Sequence, residues 1–226
     1  MIDSKRALVF AAHSDDEIIG PGGTISRMAA GGCEVTVVTF TKGDTGYSTP
    51  EEKAGIVAAR SRESAETKRI LGIRESVNLG LPTQGVEDTK ELYQDCVRLI
   101  RHYRPEVIFS HHHEDKHRDH RTISRITEEA WWKAQESVLA DLGPAWRAER
   151  FFFYEIFELF TRPSLVVDIS GFLEKKLEAM RAQQSQLKVV PGISGHIEGL
   201  AKVRGCLAGF VLGEAFLESN FIPRRE

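Results

Sequence analysis

Two short segments concentrate the side chains that could bind a metal ion or transfer a proton. The first covers residues 13–17 and reads HSDDE, and the second covers residues 111–120 and reads HHHEDKHRDH. The second segment holds five of the eight histidines of the chain. Because buried charges need an opposite charge or a metal ion, this density of polar residues after apolar strands indicates a metal or catalytic site.

A catalytic zinc ion requires three nitrogen or oxygen ligands and one open position. His13 and Asp16 are three residues apart, so both can point at one ion where a strand turns into a helix. A histidine from the second segment would complete the set. Asp15 lies beside a ligand but is free, so it could accept a proton from the water that the metal activates.

Each segment taken alone has a simpler interpretation. Residues 13–17 have the composition of a turn and a helix N-terminus, where acidic side chains are favoured by the helix dipole. Residues 111–120 could be a solvated loop. The two segments together, at the ends of strands predicted to be neighbours, favour the metal site.

The elements that must position these residues are short apolar runs alternating with helical patterns. Strands are predicted at residues 7–12, 34–41, 76–79, 107–110, 151–160 and 164–169. Helices are predicted at residues 22–31, 49–71, 89–103, 122–139 and 172–187. This alternation predicts a single α/β domain over residues 1–226, with a Rossmann-like, mostly parallel sheet and helices on both faces. Beyond residue 188, repeated glycines weaken the pattern.

A Rossmann-like strand order would make the first and fourth strands neighbours at the point where the order reverses. Ligands of such sheets bind beyond the carboxyl ends of the strands at that point. The segments at residues 13–17 and 111–120 follow those two strands directly. We therefore expect them to meet.

Composition excludes several classes of protein. The 226 residues carry 30 Lys and Arg against 33 Asp and Glu, a formal net charge of −3, so no basic excess points to nucleic acid or a membrane surface. Three cysteines without a CxxC pattern favour a reducing compartment over a disulfide framework. Without a signal-peptide pattern or an apolar stretch of about 20 residues, we expect a cytoplasmic protein.

The motifs resemble those of a known family, the PIG-L/LmbE-like deacetylases, which remove acetyl groups from N-acetylglucosamine conjugates. Residues 13–17 with Gly22-Gly23-Thr24 are similar to the first family motif, and residues 117–120 (HRDH) to the second. The resemblance covers most of the chain. Ser14 and Arg118 replace two family prolines, and Gln183 stands where relatives often carry a histidine.

The resemblance implies three metal ligands, with zinc as the expected ion and iron(II) also possible: His13, Asp16 and His120. It implies that Asp15 is the general base. It further implies that His117 stabilises the oxyanion and protonates the leaving amine, with Asp119 orienting or tuning His117. The expected partner is a small N-acetylated sugar conjugate, and the family suggests a homo-oligomer.

Three further residues are candidates for binding substrate. Arg60 resembles a family position that faces the substrate or the product carboxylate, although a surface ion pair with Glu63 or Glu66 is an equal alternative. Lys116 could meet an anionic group of the substrate. Asp44 lies in a loop that could bind sugar hydroxyls or be a plain connection.

The same residues also bear on three alternative functions. A dinucleotide-binding GxGxxG motif beginning at Gly20 fails, because its last glycine would fall on Ile25, and the second strand ends without an acidic residue. Another metal-dependent amide hydrolase and a non-catalytic carbohydrate-binding module on the same scaffold remain alternatives.

Overall fold

The computed structural model describes residues 4–223. Its strands are β1 (Arg6–Ala11), β2 (Glu34–Thr41), β3 (Glu75–Leu81), β4 (Val107–His111), β5 (Arg150–Tyr154), β6 (Leu165–Asp168) and β7 (Gly213–Glu218). Its helices are α1 (Asp16–Ile19), α2 (Gly22–Ala30), α3 (Ile56–Leu71), α4 (Lys90–Tyr103), α5 (Arg118–Ala134), α6 (Leu173–Ala182), α7 (Gln184–Val189) and α8 (Ile193–Ala208). None of these helices is both long enough and apolar enough to cross a membrane.

The strands form one seven-stranded sheet in the order β3-β2-β1-β4-β5-β7-β6. The first five strands of this order pair in parallel, and β7 pairs antiparallel with β5 and β6. The α/β class and the Rossmann-like order are therefore confirmed. So is the adjacency of β1 and β4, whose register pairs Leu8 with Ile108.

The central strands are buried on both faces, which explains their nearly continuous apolar sequence. In β1, Val9 and Ala11 pack into one hydrophobic cluster, while Leu8 and Phe10 pack into the other. The first cluster includes residues of α2, α3, α6 and α8, and the second includes residues of α4 and α5. Helices thus cover both faces of the sheet, as the sequence predicts.

Several predicted boundaries were wrong. The helix predicted at 49–71 is a 3₁₀ turn (Pro50–Glu52) followed by α3. The helix predicted at 122–139 begins four residues earlier, because His117 acts as its N-cap and accepts the Asp119 backbone N–H. The strand predicted at 151–160 ends at Tyr154, and the helix predicted at 172–187 is interrupted at Gln183. Helix α8 and strand β7 were not predicted.

The N-terminus of α2 is capped from the far end of the chain. Both oxygens of Glu214, in β7, accept backbone hydrogen bonds, from Gly23 at 2.8 Å and from Thr24 at 2.7 Å. The buried Lys176 ammonium donates to the same carboxylate at 2.6 Å. A Cβ atom on Gly23 would lie 2.9 Å from Glu214 Oε1, so this close approach explains the glycine.

The C-terminal end of α5 is held by an unusual buried cation. Arg101 of α4 is only 2% exposed. Its guanidinium donates to six backbone carbonyls in the segment 133–143, including those of Leu139 at 2.6 Å and Glu136 at 2.8 Å. The last carbonyls of a helix lack intrahelical partners and carry partial negative charge, so Arg101 satisfies them and fixes the end of α5.

We predict that Arg101→Met lowers the free energy of unfolding by about 3 kcal/mol or more, since it leaves buried carbonyls without donors. Arg101→Lys should lose less, because an ammonium can still bond up to three of them. The matched control is Arg98→Met on the same helix, where Arg98 is exposed and pairs with the exposed Asp95, so the loss should stay below about 1 kcal/mol. Urea denaturation measures all three. Equal losses at positions 98 and 101 would contradict this role.

Candidate metal centre

The two chemical segments meet at the carboxyl ends of β1 and β4. His13 lies two residues beyond β1, His111 is the last residue of β4, and His120 lies in the first turn of α5. The Ala12 N–H donates to His111 Nε2 at 2.9 Å, which joins the two strand ends directly. The adjacency predicted from the strand order therefore brings the segments together.

The three predicted ligands form a compact triangle of nitrogen and oxygen atoms. His13 Nδ1 lies 3.3 Å from His120 Nε2 and 3.3 Å from Asp16 Oδ2, and His120 Nε2 lies 3.4 Å from Asp16 Oδ1. Two ligands of a tetrahedral zinc ion with bonds of ~2.0–2.1 Å lie about 3.3 Å apart. The spacing of this donor set therefore fits a zinc-sized ion.

Each of the two histidines has its other ring nitrogen bound to a carboxylate. His13 Nε2 donates to Asp119 Oδ2 at 3.2 Å, and His120 Nδ1 donates to Asp115 Oδ1 at 3.0 Å. In the neutral rings, these bonds leave His13 Nδ1 and His120 Nε2 with lone pairs that face the triangle. A carboxylate behind each imidazole is the usual support of a metal-binding histidine, because it fixes the tautomer and raises ligand basicity.

Three overlapping groups of residues place their potential ligand atoms within 4.8 Å of one another in the described part of the chain. They are His13/His117/His120, Asp16/His111/His120 and His13/Asp15/Asp16. The members found in two groups each are the three predicted ligands. His111 is a weaker candidate, because its Nε2 lone pair already accepts the Ala12 N–H.

The charges of the triangle are strongly coupled. Burial works against the charged form of His13, but the carboxylates of Asp16 and Asp119 outweigh it and raise the pKa of His13 to about 10. Burial is likewise outweighed at His120, where Asp16 and Asp115 raise the pKa to about 9. Burial also opposes ionisation of Asp16, yet the surrounding imidazoles hold the pKa of that carboxyl well below its usual value.

Glu17, the last residue of the first segment, is buried, and its Oε2 has no hydrogen-bond partner among the described residues. Burial, reinforced by the charge of Asp15, raises the pKa of Glu17 to about 8. Its carboxyl is therefore mostly protonated at neutral pH and adds little negative charge beside Asp15 and Asp16.

Asp15 and Arg60 lie together on the wall of the site. Arg60 is 3% exposed, and its Nη2 lies 3.3 Å from Asp15 Oδ1. The alternative surface pair does not form, because Glu63 accepts hydrogen bonds from α7 and Glu66 pairs with Arg69. Arg60 thus holds the residue predicted to be the base.

His117 is oriented by a backbone group. Its Nδ1 accepts the Asp119 N–H at 3.2 Å, so the neutral ring carries its proton on Nε2. The Asp119 carboxylate lies 4.0 Å from His117 Nδ1 and accepts from His13 Nε2, so Asp119 contacts His117 through its backbone N–H and acts on the ring by its charge. Burial, together with the neighbouring His120 and His13, lowers the pKa of His117, which favours the neutral ring at pH 7.

Two predicted substrate residues lie away from the centre. The carboxylate of Asp44 accepts the Thr83 N–H at 2.9 Å and lies 3.5 Å from Lys42 Nζ, so it braces two loops against each other. Lys116 is exposed. Neither belongs to the described residues that line the cleft above the triangle.

The cleft above the triangle has a volume of about 210 Å³. Its floor and polar wall are lined by His13, Asp15, Asp16, Gly43, Thr45, Gly46, Arg60, Thr83, Gln84, His117, His120 and Gln186. Its other wall is apolar and is lined by Ile19, Phe157, Met180, Val189, Val190 and Ile193. Gln183, at the position where relatives often have a histidine, lies outside this lining and donates to Thr67 Oγ1 at 2.9 Å.

Sequence reasoning missed Asp115, which has three roles in the structure. Besides accepting from His120, it accepts the backbone N–H groups of His117 at 2.8 Å and Phe157 at 3.3 Å. The sequence feature that could have indicated Asp115 is its position, two residues before His117 in a histidine-rich segment.

Sequence reasoning also missed the support beneath His111. The hydroxyl of Tyr154 donates to the Phe10 carbonyl at 2.7 Å and lies 3.0 Å from His111 Nε2. A Cβ atom on Gly20 would lie 2.4 Å from the Tyr154 ring, so only glycine leaves room for that ring.

We predict that Asp115→Asn weakens zinc binding by about 10- to 100-fold, since it removes the carboxylate behind His120. Glu114→Gln, an equivalent change at the exposed neighbouring position, should leave the affinity unchanged. Competition with a chromophoric chelator measures both affinities. If the two variants bound zinc equally well, Asp115 would have no part in the centre.

We predict that zinc binding strengthens as pH rises from 6 to 8. Because the pKa values of His13 and His120 are about 10 and 9, both rings hold protons that the ion must displace. Displacing both protons makes the affinity rise about a hundredfold per pH unit, a factor of about ten for each proton. Calorimetry in buffers of different ionisation enthalpy counts the released protons. A pH-independent affinity with no proton release would contradict the assignment.

Comparison with known proteins places this centre in a family. The chain is 30% identical to the 1D-myo-inositol 2-acetamido-2-deoxy-alpha-D-glucopyranoside deacetylase of Saccharomonospora viridis, over 89% of this chain and 92% of that protein. It is 29% identical to the diacetylchitobiose deacetylase of Thermococcus kodakarensis, over 81% of this chain and 71% of that protein.

A solved structure shows the same architecture. The N,N'-diacetylchitobiose deacetylase from Pyrococcus horikoshii superposes with a TM-score of 0.88 at 26% identity, covering 96% of this chain and 84% of that one. The model of the family described as PIG-L: GlcNAc-PI de-N-acetylase matches residues 8–131, which include both chemical segments. This chain therefore belongs to the PIG-L family.

Proposed function

We propose that this protein is a metal-dependent hydrolase that removes the acetyl group from an N-acetylglucosamine-type glycoconjugate. The observation that carries the proposal is the triangle of His13, Asp16 and His120, whose donor atoms lie 3.3–3.4 Å apart with Asp15 beside them. The relatives named above are deacetylases of acetamido sugars. Their shared substrate feature is the acetamido group on the sugar, which is the bond we propose is cleaved here.

Zinc is the ion we assign to the triangle. Two imidazoles and one carboxylate form a donor set that suits zinc and also accommodates iron(II). When bound, zinc supplies Lewis acidity that lowers the pKa of water to about 7 and polarises a carbonyl group.

Asp15 acts as the general base. It lines the cleft next to the triangle, and Arg60 holds one of its oxygens at 3.3 Å. Its carboxylate accepts a proton as water attacks the amide carbonyl. That proton is then available for the nitrogen of the leaving amine, so the products are acetate and a free amino sugar.

His117 stabilises the oxyanion that develops on the amide oxygen. Its Nδ1 is occupied by the Asp119 N–H, so the neutral ring offers an Nε2–H donor to the cleft. The lowered pKa of His117 keeps it a neutral donor at pH 7. This assigns the protonation of the amine to Asp15 rather than to His117, a change from the role that the family resemblance implies.

The remaining assignments concern the substrate and the protein's surroundings. Arg60 and Gln186 on the polar wall are placed to bind sugar hydroxyls or the product carboxylate. We also propose a cytoplasmic location and a homo-oligomeric state, which rest on the sequence and on the family resemblance. Nucleic acid and membranes are not proposed as partners.

We predict that Asp15→Asn lowers kcat by about 10²- to 10⁴-fold while zinc stays bound, since the variant loses a base but no ligand. His117→Ala should lower kcat on the order of 10²- to 10³-fold through loss of the oxyanion donor. Glu114→Gln is the control and should keep full activity. Steady-state kinetics combined with metal analysis measures both effects. Full activity in Asp15→Asn would remove Asp15 from the mechanism.

The proposal as a whole is tested by measuring acetate release from a panel of N-acetylated sugars. The zinc-loaded protein should release acetate from at least one N-acetylglucosaminide, and a chelator should abolish the release. No release from any acetamido sugar, or release that survives removal of the metal, would overturn the proposed function.

A further inference from the structure

Three large apolar side chains stand exposed at the mouth of the cleft. Phe157, Val189 and Val190 are 44%, 43% and 40% exposed, yet all three line the same opening. The buried side chains of Ile19, Met180 and Ile193 continue this surface inward. Exposed apolar groups gathered at one opening, rather than scattered, are typical of a binding surface.

This apolar rim (Phe157, Val189 and Val190) is held in place by the site itself. The Phe157 N–H donates to Asp115, and the Phe157 ring lies parallel to the His120 ring at a centroid distance of 6.2 Å. On the other side, the Val190 N–H donates to the Gln186 carbonyl at 2.8 Å. The Gln186 side chain in turn donates to the Gly46 carbonyl at 2.9 Å, across the cleft wall.

The size of the cleft shows which part of a substrate meets the rim. A volume of about 210 Å³ is below the roughly 300–1,000 Å³ of common ligand pockets. A cleft of this size is suited to about one sugar ring, and the exposed parts of the rim residues lie where groups attached to that ring would leave it. Anything attached to that ring must extend through the mouth and over the rim.

None of the three rim residues that line the cleft is charged. Among the described residues that line the cleft, the charged and titratable side chains are His13, Asp15, Asp16, Arg60, His117 and His120, all on the floor and polar wall. Lys188, next to Val189 in the chain, is paired with Glu52 at 2.7 Å. A phosphate or carboxylate at the mouth would lose hydration there without gaining a partner.

We infer that the natural substrate carries an uncharged apolar aglycone, an alkyl or aryl group linked to the acetamido sugar, that packs on the apolar rim. This inference rests on the proposed function. It names the substrate class of the same site.

Deacetylation of methyl and hexyl N-acetylglucosaminides tests the inference, since the two differ only in the length of the alkyl aglycone. The hexyl glycoside should have a kcat/KM about tenfold or more above that of the methyl glycoside, mainly through a lower KM, because the chain buries apolar surface on the rim. Equal kcat/KM values for both glycosides would overturn the inference while leaving the proposed function intact.

Variants of the apolar rim test whether the preference for the hexyl glycoside arises from these three residues. Val189→Ser/Val190→Ser and Phe157→Ser should each bring the hexyl-to-methyl ratio of kcat/KM close to one. Val203→Ser is the matched control, because Val203 is 53% exposed on α8 and lies outside the cleft lining, and it should keep the ratio of the unmodified protein. A ratio that fell equally in the control would contradict the assignment to the rim.

Binding measurements separate failure of the inference from failure of the proposed function. Zinc-loaded Asp15→Asn should bind the hexyl glycoside about tenfold more tightly than the methyl glycoside, whether or not the unmodified protein releases acetate. Tighter binding without turnover would support the rim and refute the proposed activity. If the rim variants instead changed the oligomeric state in sedimentation and left the binding ratio unaltered, the rim would be a contact between subunits and the inference would fall.

Discussion

The architecture of the site depends on one buried carboxylate. Asp16 lies at the junction of β1 and β4 with His13, His111 and His120 around it, and burial alone would make its charge costly. The positive charges of protonated His13 and His120 offset that cost, as would a cation that replaced their protons, whereas burial lowers the pKa of His111 to about 4 and keeps its ring neutral. The contacts that lower the pKa of Asp16 keep it negatively charged, and a buried negative charge favours the binding of a positive ion in this pocket.

The scaffold makes this junction rigid from several directions. Parallel pairing of β1 with β4 fixes the two strand ends, and Arg101 holds the far end of the helix that supplies His120. Glu214 caps α2, which follows the first chemical segment. These contacts involve residues other than the three donors, and they fix the elements that carry the donors. Preorganisation of this kind is what a metal ligand set requires.

Much of this arrangement could be predicted from the sequence, because it follows from local pattern. The alternation of elements predicted the sheet order, and the order predicted where residues 13–17 and 111–120 would meet. The roles of Asp115 and Asp119 could not be predicted, since an acidic residue near a histidine can bind its ring, its backbone or neither. The start of α5 was missed because its N-cap is His117, a residue outside the common capping types. Helix α8 was missed because glycine has a low intrinsic helix propensity and three glycines lie within the helix.

His13, Asp16 and His120 are expected to hold one divalent ion together. Anomalous diffraction at the zinc edge, from crystals grown with zinc, tests it directly. We expect a peak within about 2.0–2.2 Å of His13 Nδ1, His120 Nε2 and an Asp16 oxygen. A fully loaded crystal whose anomalous peak lies on other side chains, with these three donors uncoordinated, would contradict it.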